Sequence, residues 1–531
     1  MNGQIKGYAS ATSVQQGQSI TFRISVNPAQ QYTIDFFRIG WYGGRGGRLR
    51  LHVGPLDGVQ QAVCPTDATT GLIACSWAAS YTLSVPNDWT SGIYLALLTN
   101  AAGYQNHVPF VVRDGRPADF LYQQGIGSTA AVKVSFDRPY SYGGAGMLFN
   151  FEIDLVRWLE MNGYDVTYAT DIDTHESGGA LRNYKGFISA GHDEYWTKQM
   201  RDAVEAARDA GVNLAFMGAD AAEWQARLES SASGVADRVL VCYRYSGIDP
   251  VQGPTTTVEW RNPLINRPEQ TLIGIQFTNA INQGTNVPYV VNSSSHWIYA
   301  GTGFKDGDTV PGIVGYEMDR SWSEYPAPPG ANRTLLSHSP FTVPYNGQPD
   351  YANSSIYQAP SGAWVFASGT LGWSWGLDNY FHTNADPRIQ RTTANLLDAF
   401  IHGAPVVDHL KVSAAATVTA GQPFNVTVTA QNAQGNTVPS YSGTVHFTSS
   451  DTSSGVVLPP DATLTNGTGT FSVTLVKAGA QTVTATDKAT ATITGQVSVN
   501  VGGSGAATFG ITGPSNAVSG QALNITVTAK D

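Results

Sequence analysis

The chain has 531 residues. A single hydrophobic core does not usually support a chain of this length, so we expect several domains. Its 30 lysine and arginine residues against 40 aspartate and glutamate residues give a net charge of −10. That balance excludes nucleic acid as an expected partner, because no basic surface is available to neutralise phosphates. No apolar run approaches the ~18 residues that a membrane helix needs, so we expect no membrane span.

Residues 1–115 read as short strands separated by turn signals. Residues 19–26 and 32–39 alternate polar and apolar side chains with a period of two, which predicts a β-sandwich over 1–115. Cys64 and Cys75 flank a short polar loop. This spacing suits a disulfide, which secretion would permit, and two free thiols are the alternative.

After Pro117 the pattern changes to alternating strands and helices. The predicted elements are, in chain order, a helix over 148–159, strands over 164–168 and 184–191, a helix over 198–210 capped by Thr197, and a strand over 212–217. Strand-like runs then dominate residues 240–380, which indicates an insertion or an extension of the sheet, and a helix over 388–401 closes the region. We therefore predict an α/β domain over residues 116–405, with a parallel sheet and helices on its faces.

The C-terminal region is a repeat. Residues 421–430 recur as residues 520–529, and a spacing of about 100 residues is that of one immunoglobulin-like sandwich. We predict an Ig-like β-sandwich over 406–502 and the start of a second, truncated repeat over 503–531. Only 13% of residues are charged, which with the repeats favours an extracellular or cell-surface protein.

The segment after the strand over 184–191 carries the residues best suited to chemistry. His192 and Glu194 are two positions apart at a strand end, where open α/β sheets bind ligands. One of them is able to ligate a metal while the other moves protons. The alternative is a helix start with a locally satisfied histidine. No serine or cysteine follows Gly191, which argues against a nucleophile elbow.

Two further carboxylates are candidates. Asp220 follows the next strand, and a parallel neighbour would bring it near Glu194; the alternative is an ordinary turn residue. Glu317 lies in a strand-like run, where a salt bridge to Arg320 is the alternative. A hydrolase with Glu194 and Asp220 as a carboxylate pair is a further hypothesis.

An ordered set of motifs resembles the large (beta) subunit of N,N-dimethylformamidase and its relatives, over about residues 5–402. The motifs lie at residues 38–44 (RIGWYGG), 134–140 (VSFDRPY), 191–196 (GHDEYW) and 315–317 (GYE). The resemblance implies a glutamine-amidotransferase-like parallel sheet with helices on both faces, without the cysteine. It also implies amide hydrolysis at a mononuclear iron held by two tyrosines and one glutamate.

Residue by residue, the resemblance assigns Glu194 as the glutamate ligand, Tyr140 as one tyrosine ligand and His192 as the catalytic histidine. It assigns Glu317 as a further catalytic carboxylate, and Asp220 stands where relatives show asparagine. The catalytic set is thus His192, Asp220 and Glu317, and the metal set is Tyr140 and Glu194.

The second tyrosine has no clear counterpart. No tyrosine lies between Tyr122 and Tyr140, so this ligand is lost, or Tyr122 or Tyr142 replaces it. Glu223 stands where relatives lead us to expect an aromatic residue. A hard Fe(III) ion suits phenolate and carboxylate oxygens, and losing one phenolate opens the site. The expected cofactor is therefore mononuclear iron, another divalent metal, or none.

We predict a secreted, metal-dependent hydrolase of C–N bonds acting on a small-molecule amide, as a homo-oligomer or in association with the cell surface. Two other functions remain open. One is a catalytically inactive surface or matrix protein displayed on Ig-like modules, and the other is the carboxylate-pair glycoside hydrolase. Metal content separates the first function from the inactive protein.

Overall fold

The computed structural model describes residues 3–124, 131–140, 142–438, 441, 443–503 and 508–530, without the side chain of Tyr142. The chain divides into two compact units, Met1–Ile401 and His402–Asp531. The domain boundaries placed from the sequence at residues 115, 405 and 502 stay predictions. Both units consist mainly of β-strands arranged in several sheets.

The first unit opens with a β-sandwich. Its strands are β1 (Ile5–Ala9), β2 (Ser13–Gln15), β3 (Ser19–Val26), β4 (Gln31–Ile39), β5 (Gly47–Asp57), β6 (Tyr81–Ser84), β7 (Gly92–Asn100) and β8 (Gln105–Arg113). A three-stranded sheet, β1-β3-β6, packs on a five-stranded sheet, β2-β8-β7-β4-β5. The ring of Phe22 meets Phe36 and Phe110 edge to face across this core. Cys64 and Cys75 form a disulfide, as the sequence predicts.

The rest of the first unit contains seventeen strands and five α-helices in the described residues. The strands are β9 (Phe120–Gln124), β10 (Lys133–Ser135), β11 (Val166–Thr170), β12 (Gly186–His192), β13 (Tyr195–Thr197), β14 (Asn213–Ala219), β15 (Trp224–Glu229), β16 (Val239–Val241), β17 (Gln276–Ala280), β18 (Val287–Val290), β19 (Thr309–Val314), β20 (Glu317–Arg320), β21 (Thr334–Leu335), β22 (Ser339–Thr342), β23 (Pro349–Ala352), β24 (Ser355–Gln358) and β25 (Trp364–Ala367). The helices are α1 (Ile153–Met161), α2 (Asp171–Ser177), α3 (Lys198–Asp209), α4 (Gln270–Ile273) and α5 (Pro387–His402).

A seven-stranded sheet forms the centre of this region, in the order β11-β9-β12-β14-β25-β24-β21. The first five strands run parallel, whereas β24 and β21 continue the sheet with antiparallel pairing. Strands from the region after residue 240 therefore extend the sheet, which is one of the two outcomes expected there. The parallel arrangement places the carboxyl ends of β12 and β14 at the same edge.

Helices pack on both faces of this sheet. Because successive strand residues point to opposite faces, Phe187 packs with Met200 of α3 in one core. Its neighbour Ile188 packs with Leu155 of α1 and Leu397 of α5 in the other core. The predicted helix over 148–159 begins with a π-helical turn, Leu148–Glu152.

The predicted N-cap of helix α3 is present. The hydroxyl of Thr197 accepts a hydrogen bond from the backbone N of Met200 at 3.2 Å. This bond satisfies one of the backbone donors that the first turn leaves free. It also fixes where the segment after β12 turns into the helix.

A smaller sheet has the strand order β10-β16-β15-β13, and its strands β13 and β15 directly follow β12 and β14 of the main sheet along the chain. Strands β17 and β20 form a separate two-stranded sheet. Within the smaller sheet, β13 and β15 are parallel, with Tyr195 opposite Trp224. This register places the residues just before each strand side by side. It therefore decides which side chains after β12 and β14 meet.

The second unit is another β-sandwich followed by a hairpin. Its strands are β26 (His409–Ala414), β27 (Thr417–Thr419), β28 (Pro423–Gln431), β29 (Thr444–Ser449), β30 (Ala462–Thr463), β31 (Thr468–Thr474), β32 (Gly479–Asp487), β33 (Thr494–Gly502), β34 (Thr508–Thr512) and β35 (Thr526–Lys530). Sheets β26-β28-β31 and β27-β33-β32-β29-β30 enclose one apolar core.

The hairpin β34–β35 repeats the start of this sandwich. Its register pairs Thr508 with Lys530, just as β26 and β28 pair His409 with Gln431. The repeated sequence thus forms the same strand pair twice, and the Ig-like character of both copies stays a prediction. Among the described residues, none of the helices combines the length and apolar character that crossing a bilayer requires.

Candidate functional site

The candidate site lies where β12 and β14 end side by side. The two strands pair in parallel, with His192 opposite Ala219. Asp220 follows directly, and its carboxylate lies close to that of Glu194, as the strand order predicts. Open α/β sheets bind ligands beyond this edge.

His192 is held between two glutamates. Its Nε2 lies 3.0 Å from Oε2 of Glu317 and 3.6 Å from Oε2 of Glu194. Burial by itself lowers the pKa of His192, but the hydrogen bond and charge of Glu317, followed by the charges of Glu194 and Asp193, raise it to about 9. The imidazole is therefore mostly protonated near neutral pH, which suits it to donate a proton.

Glu317 reaches His192 from strand β20, outside the main sheet. Because side chains alternate along a strand, Glu317 and Asp319 share one face of β20, whereas Met318 packs in the main core. Oδ1 of Asp319 accepts a hydrogen bond from the backbone N of Asp220 at 2.8 Å. Strand β20 thus contacts His192 through Glu317 and the backbone of Asp220 through Asp319. The alternative partner for Glu317, Arg320, lies instead 3.4 Å from Asp350.

Three carboxylates form a cluster beside His192. Ligand oxygens of Glu194, Asp220 and Glu223 all lie within 4.8 Å of one another, and all three residues are buried. The parallel pairing of β13 with β15 produces this cluster, because Glu194 and Glu223 immediately precede the paired residues. Asp220 adopts a φ of 55°, in the left-handed region that aspartate tolerates better than most residues.

The cluster concentrates negative charge in a buried place. Burial, followed by the charges of Glu223 and Glu194, raises the pKa of Asp220 well above its usual value. Burial also raises the pKa of Glu194 to about 7, although His192 and Tyr195 oppose the shift. The pKa of Asp319 likewise rises to about 7, first through burial. Without a further positive charge, the cluster is only partly ionised near neutral pH.

Arg261 is the cationic partner of Glu223. Its guanidinium ion-pairs closely with Glu223 and lies 3.3 Å from Glu259 and 3.9 Å from Glu269. One guanidinium is therefore shared by three glutamates. Sequence reasoning missed Arg261, because nothing local links it to residue 223.

Sequence reasoning also missed Glu223 and Asp319 as site residues. The available signals were spacings: Glu223 lies three residues after Asp220, and Asp319 lies two after Glu317 on the same face of a strand. Both spacings are common among surface acids. Only the packing of β20 and of the turn after β14 shows that these side chains meet.

Two of the candidate tyrosine ligands, Tyr122 and Tyr140, lie within the described residues, and neither has a described contact with Glu194. The hydroxyl of Tyr122 donates to Oε2 of Glu152 at 2.8 Å inside the main core. Burial raises the pKa of Tyr140, and the charged groups that act on it are Arg238, Asp137 and Arg138. The side chain of Tyr142 and the loop 125–130 lie outside the described residues.

The structure thus brings together four of the five predicted site residues, His192, Glu194, Asp220 and Glu317, and no described contact joins Tyr140 to them. Within the described residues the phenol of Tyr195 hydrogen-bonds to Glu194 and no second phenol oxygen is described beside it, so these residues alone do not complete the implied two-tyrosine iron site. The roles of all five residues stay predictions.

Comparison with known proteins identifies related sequences. The family model described as N,N-dimethylformamidase beta subunit-like, C-terminal, matches residues 33–128 and 119–386. The N,N-dimethylformamidase beta subunits of Paracoccus aminophilus and an Alcaligenes species are 24% and 23% identical over 306 residues. Each alignment covers 50% of this chain and 39% of the relative, so the chain spans well under half the length of these proteins.

Two solved structures show weak similarity to parts of this chain. Domains 4 and 5 of the S-layer protein SbsC are 17% identical with a TM-score of 0.16, covering 37% of this chain and 87% of that chain. The Escherichia coli adhesin FdeC is 15% identical with a TM-score of 0.19, covering 38% of this chain and 58% of that chain.

Proposed function

Because the chain belongs to the N,N-dimethylformamidase beta subunit-like family, we propose that its first unit hydrolyses C–N bonds of small-molecule amides. One observation carries the proposal: His192 is fixed by Glu317 beside a carboxylate cluster at the carboxyl ends of two parallel strands. Family membership carries the class of reaction better than it carries the substrate, so dimethylformamide itself is not assumed.

In the proposed reaction, His192 and Glu317 act as a paired acid and base. A water molecule adds to the carbonyl carbon and gives a proton to Glu317, and the C–N bond of the tetrahedral intermediate then breaks. Protonated His192 donates its proton to the departing nitrogen, which yields a carboxylic acid and an amine. The raised pKa of His192 suits this order of events, because the histidine is charged before the reaction starts.

The proposal extends to location, architecture and partners. The Cys64–Cys75 disulfide supports an oxidising compartment, so we place the protein outside the cell or on its surface. A glutamine-amidotransferase-like central sheet and Ig-like sandwiches complete the proposed architecture. Because the relatives are named as beta subunits, association with further chains, of the same or another kind, belongs to the proposal.

The test measures amine release from a panel of N-alkyl formamides and acetamides by the full chain. His192→Gln and Glu317→Gln should each lower the rate by a factor of about 10² to 10⁴, the usual contribution of a positioned acid or base. Glu229→Gln is the matched control, because Glu229 pairs with Lys133 and is more exposed. Folded wild-type protein that releases no amine from any substrate would contradict the proposal and favour the inactive binding protein.

A further inference from the structure

The three-carboxylate cluster has the geometry of a cation site. We propose that Glu194, Asp220 and Glu223 together bind one hard divalent cation, such as Mg²⁺ or Mn²⁺. The inference deepens the proposed function by giving the same site a metal. Binding itself does not depend on which reaction the site catalyses, so the two proposals fail separately.

The first support is the position of the oxygens. One oxygen from each of the three residues lies within 4.8 Å of the other two, so small side-chain rotations would bring all three into contact with one ion. The three carboxylates come from two turns that the parallel pair β13 and β15 holds together. The backbone N of Ala222 donates to the carbonyl of Asp193 at 2.8 Å, which joins the two turns directly.

The second support is an unpartnered oxygen on one residue of the cluster. Oδ1 of Asp220 is buried and accepts no hydrogen bond within the described residues, and Asp220 is only 4% exposed. Leaving a buried carboxylate oxygen without a partner is costly. The backbone N–H of the same residue is tied to Asp319, so Asp220 is held in place with a free oxygen.

The third support is the local charge. The acids gathered here are Glu194, Asp220, Glu223, Glu317 and Asp319, and all five are at least largely buried. The neighbouring cations already have partners: Arg261 is shared among three glutamates, His192 lies against Glu317, and Arg244 donates to the hydroxyl of Tyr195 at 2.5 Å. A bound dication would compensate the remaining negative charge.

The donor set selects the kind of metal. The three residues offer only carboxylate oxygens, the ligands that Mg²⁺, Ca²⁺ and Mn²⁺ prefer, whereas zinc and copper sites favour imidazole and thiolate. Arg261 orients Glu223 as an outer partner of a ligand does. This site shares Glu194 with the two-tyrosine iron site that the resemblance implies, but its other ligands are Asp220 and Glu223 instead of tyrosines.

The experiment titrates the full chain with Mn²⁺ after a chelator has removed bound metal. Calorimetry and the paramagnetic resonance signal of free Mn²⁺ measure binding, and thermal unfolding measures the effect of the metal on the melting temperature. Wild type should bind one Mn²⁺ per chain and unfold at a higher temperature with the metal present. Asp220→Asn and Glu223→Gln should weaken binding at least tenfold. Without metal, Asp220→Asn should melt at least as high as wild type, because asparagine replaces an acid that is buried among other acids.

Two matched controls sharpen the result. Glu259→Gln removes another carboxylate from Arg261 without touching the cluster and should leave Mn²⁺ binding unchanged. Tyr140→Phe should also leave it unchanged. The proposal is overturned if folded wild type binds no Mn²⁺, if Asp220→Asn binds as wild type does, or if Tyr140→Phe abolishes binding.

The outcomes separate the two proposals. Amide hydrolysis by protein that binds no divalent cation would overturn the cation site and leave the proposed function intact. Mn²⁺ binding that Asp220→Asn weakens, in a protein that hydrolyses no amide, would support the site and remove the proposed function. If Glu223→Gln fails to fold, Asp220→Asn alone decides, because its metal-free melting temperature reports folding directly.

Discussion

Gly218 of β14 lies directly opposite Gly191 of β12, and a Cβ atom on Gly218 would stand 2.2 Å from the carbonyl oxygen of Gly191. Real side chains do not approach a backbone oxygen this closely. The missing Cβ at Gly218 therefore lets the two strand ends come together. This approach sets the distance between the segments that carry Glu194 and Asp220.

Replacing Gly218 with alanine should separate these strand ends. The clash is with backbone, so relief requires the strands to shift, at a cost of about 1–3 kcal/mol in the free energy of unfolding. We expect a lower melting temperature and weaker amide hydrolysis. Gly179→Ala is the control, because a Cβ at this exposed position meets nothing within 4 Å. Equal stability of the two variants would contradict this account.

Glu152→Gln should change how stability depends on pH. Burial raises the pKa of Glu152 from 4.5 to about 8, although the hydrogen bond from Tyr122 opposes the shift. The folded state thus favours the protonated acid, so this contribution is complete below pH 4.5 and is lost as pH rises towards 8. Glutamine carries no charge and still accepts from Tyr122.

Wild type should therefore lose stability relative to Glu152→Gln between pH 4.5 and 8, on the order of a few kcal/mol. Urea unfolding at a series of pH values, with chelator present, measures the difference. Other buried acids titrate in both proteins, so their contributions cancel in the difference between the two free energies of unfolding. Parallel curves for the two proteins would show that Glu152 is ionised in the folded state at neutral pH.

Removing the Cys64–Cys75 disulfide should destabilise the N-terminal sandwich. The bridge joins residues with a sequence separation of 11. It lowers the conformational entropy of the unfolded chain, which stabilises the folded state by about 2–3 kcal/mol. Cys64→Ser combined with Cys75→Ser should lower the melting temperature of the first unit. A reductant should lower it in wild type and have no effect on the double variant. A reductant-insensitive wild type would contradict the expectation.

Asp249→Asn should be among the most damaging single changes outside the site. Asp249 is buried, accepts from Arg227 at 2.7 and 2.9 Å, and accepts from the backbone N of Thr257 at 2.7 Å. Although burial opposes it, the hydrogen bond from Arg227, followed by those from Thr257, holds the pKa of Asp249 well below its usual value. Its contribution is therefore present above about pH 4 and is lost in acid.

The variant should lose about 3 kcal/mol or more, because it leaves Arg227 without its charged partner. Asp209→Asn is the control, since Asp209 is exposed and pairs only at the surface with Arg208, and it should change stability by under about 0.5 kcal/mol. Chemical unfolding at pH 7 compares the two. Similar losses in both variants would contradict the assigned role.

Much of the central fold could be predicted from residue patterns. The strand ending at Gly191, the helix that Thr197 caps and the strand before Asp220 all follow from periodicity and capping. Parallel pairing then places His192 and Asp220 at one edge. These signals work because they are local and because β-α-β connections are restricted in geometry.

The meeting of β20 with this edge could not be predicted in the same way. Asp319 contacts Asp220 across 99 residues of sequence, and Glu317 reaches His192 over a longer separation. Short strands in the region 240–380 have weak periodicity, so their pairing depends on packing rather than on pattern. The same is true of Arg261, whose partners are decided by the fold around Glu223.

The sequence by itself determined the parallel strands, the disulfide pair and the positions of His192, Glu194 and Asp220 at strand ends, because each of these depends on neighbours along the chain. Only the tertiary structure decided that Glu223 completes a carboxylate cluster, that Glu317 holds His192, and that Tyr122 bonds to Glu152. The physical reason is that burial and charge act between side chains that meet in space, wherever they lie in the chain.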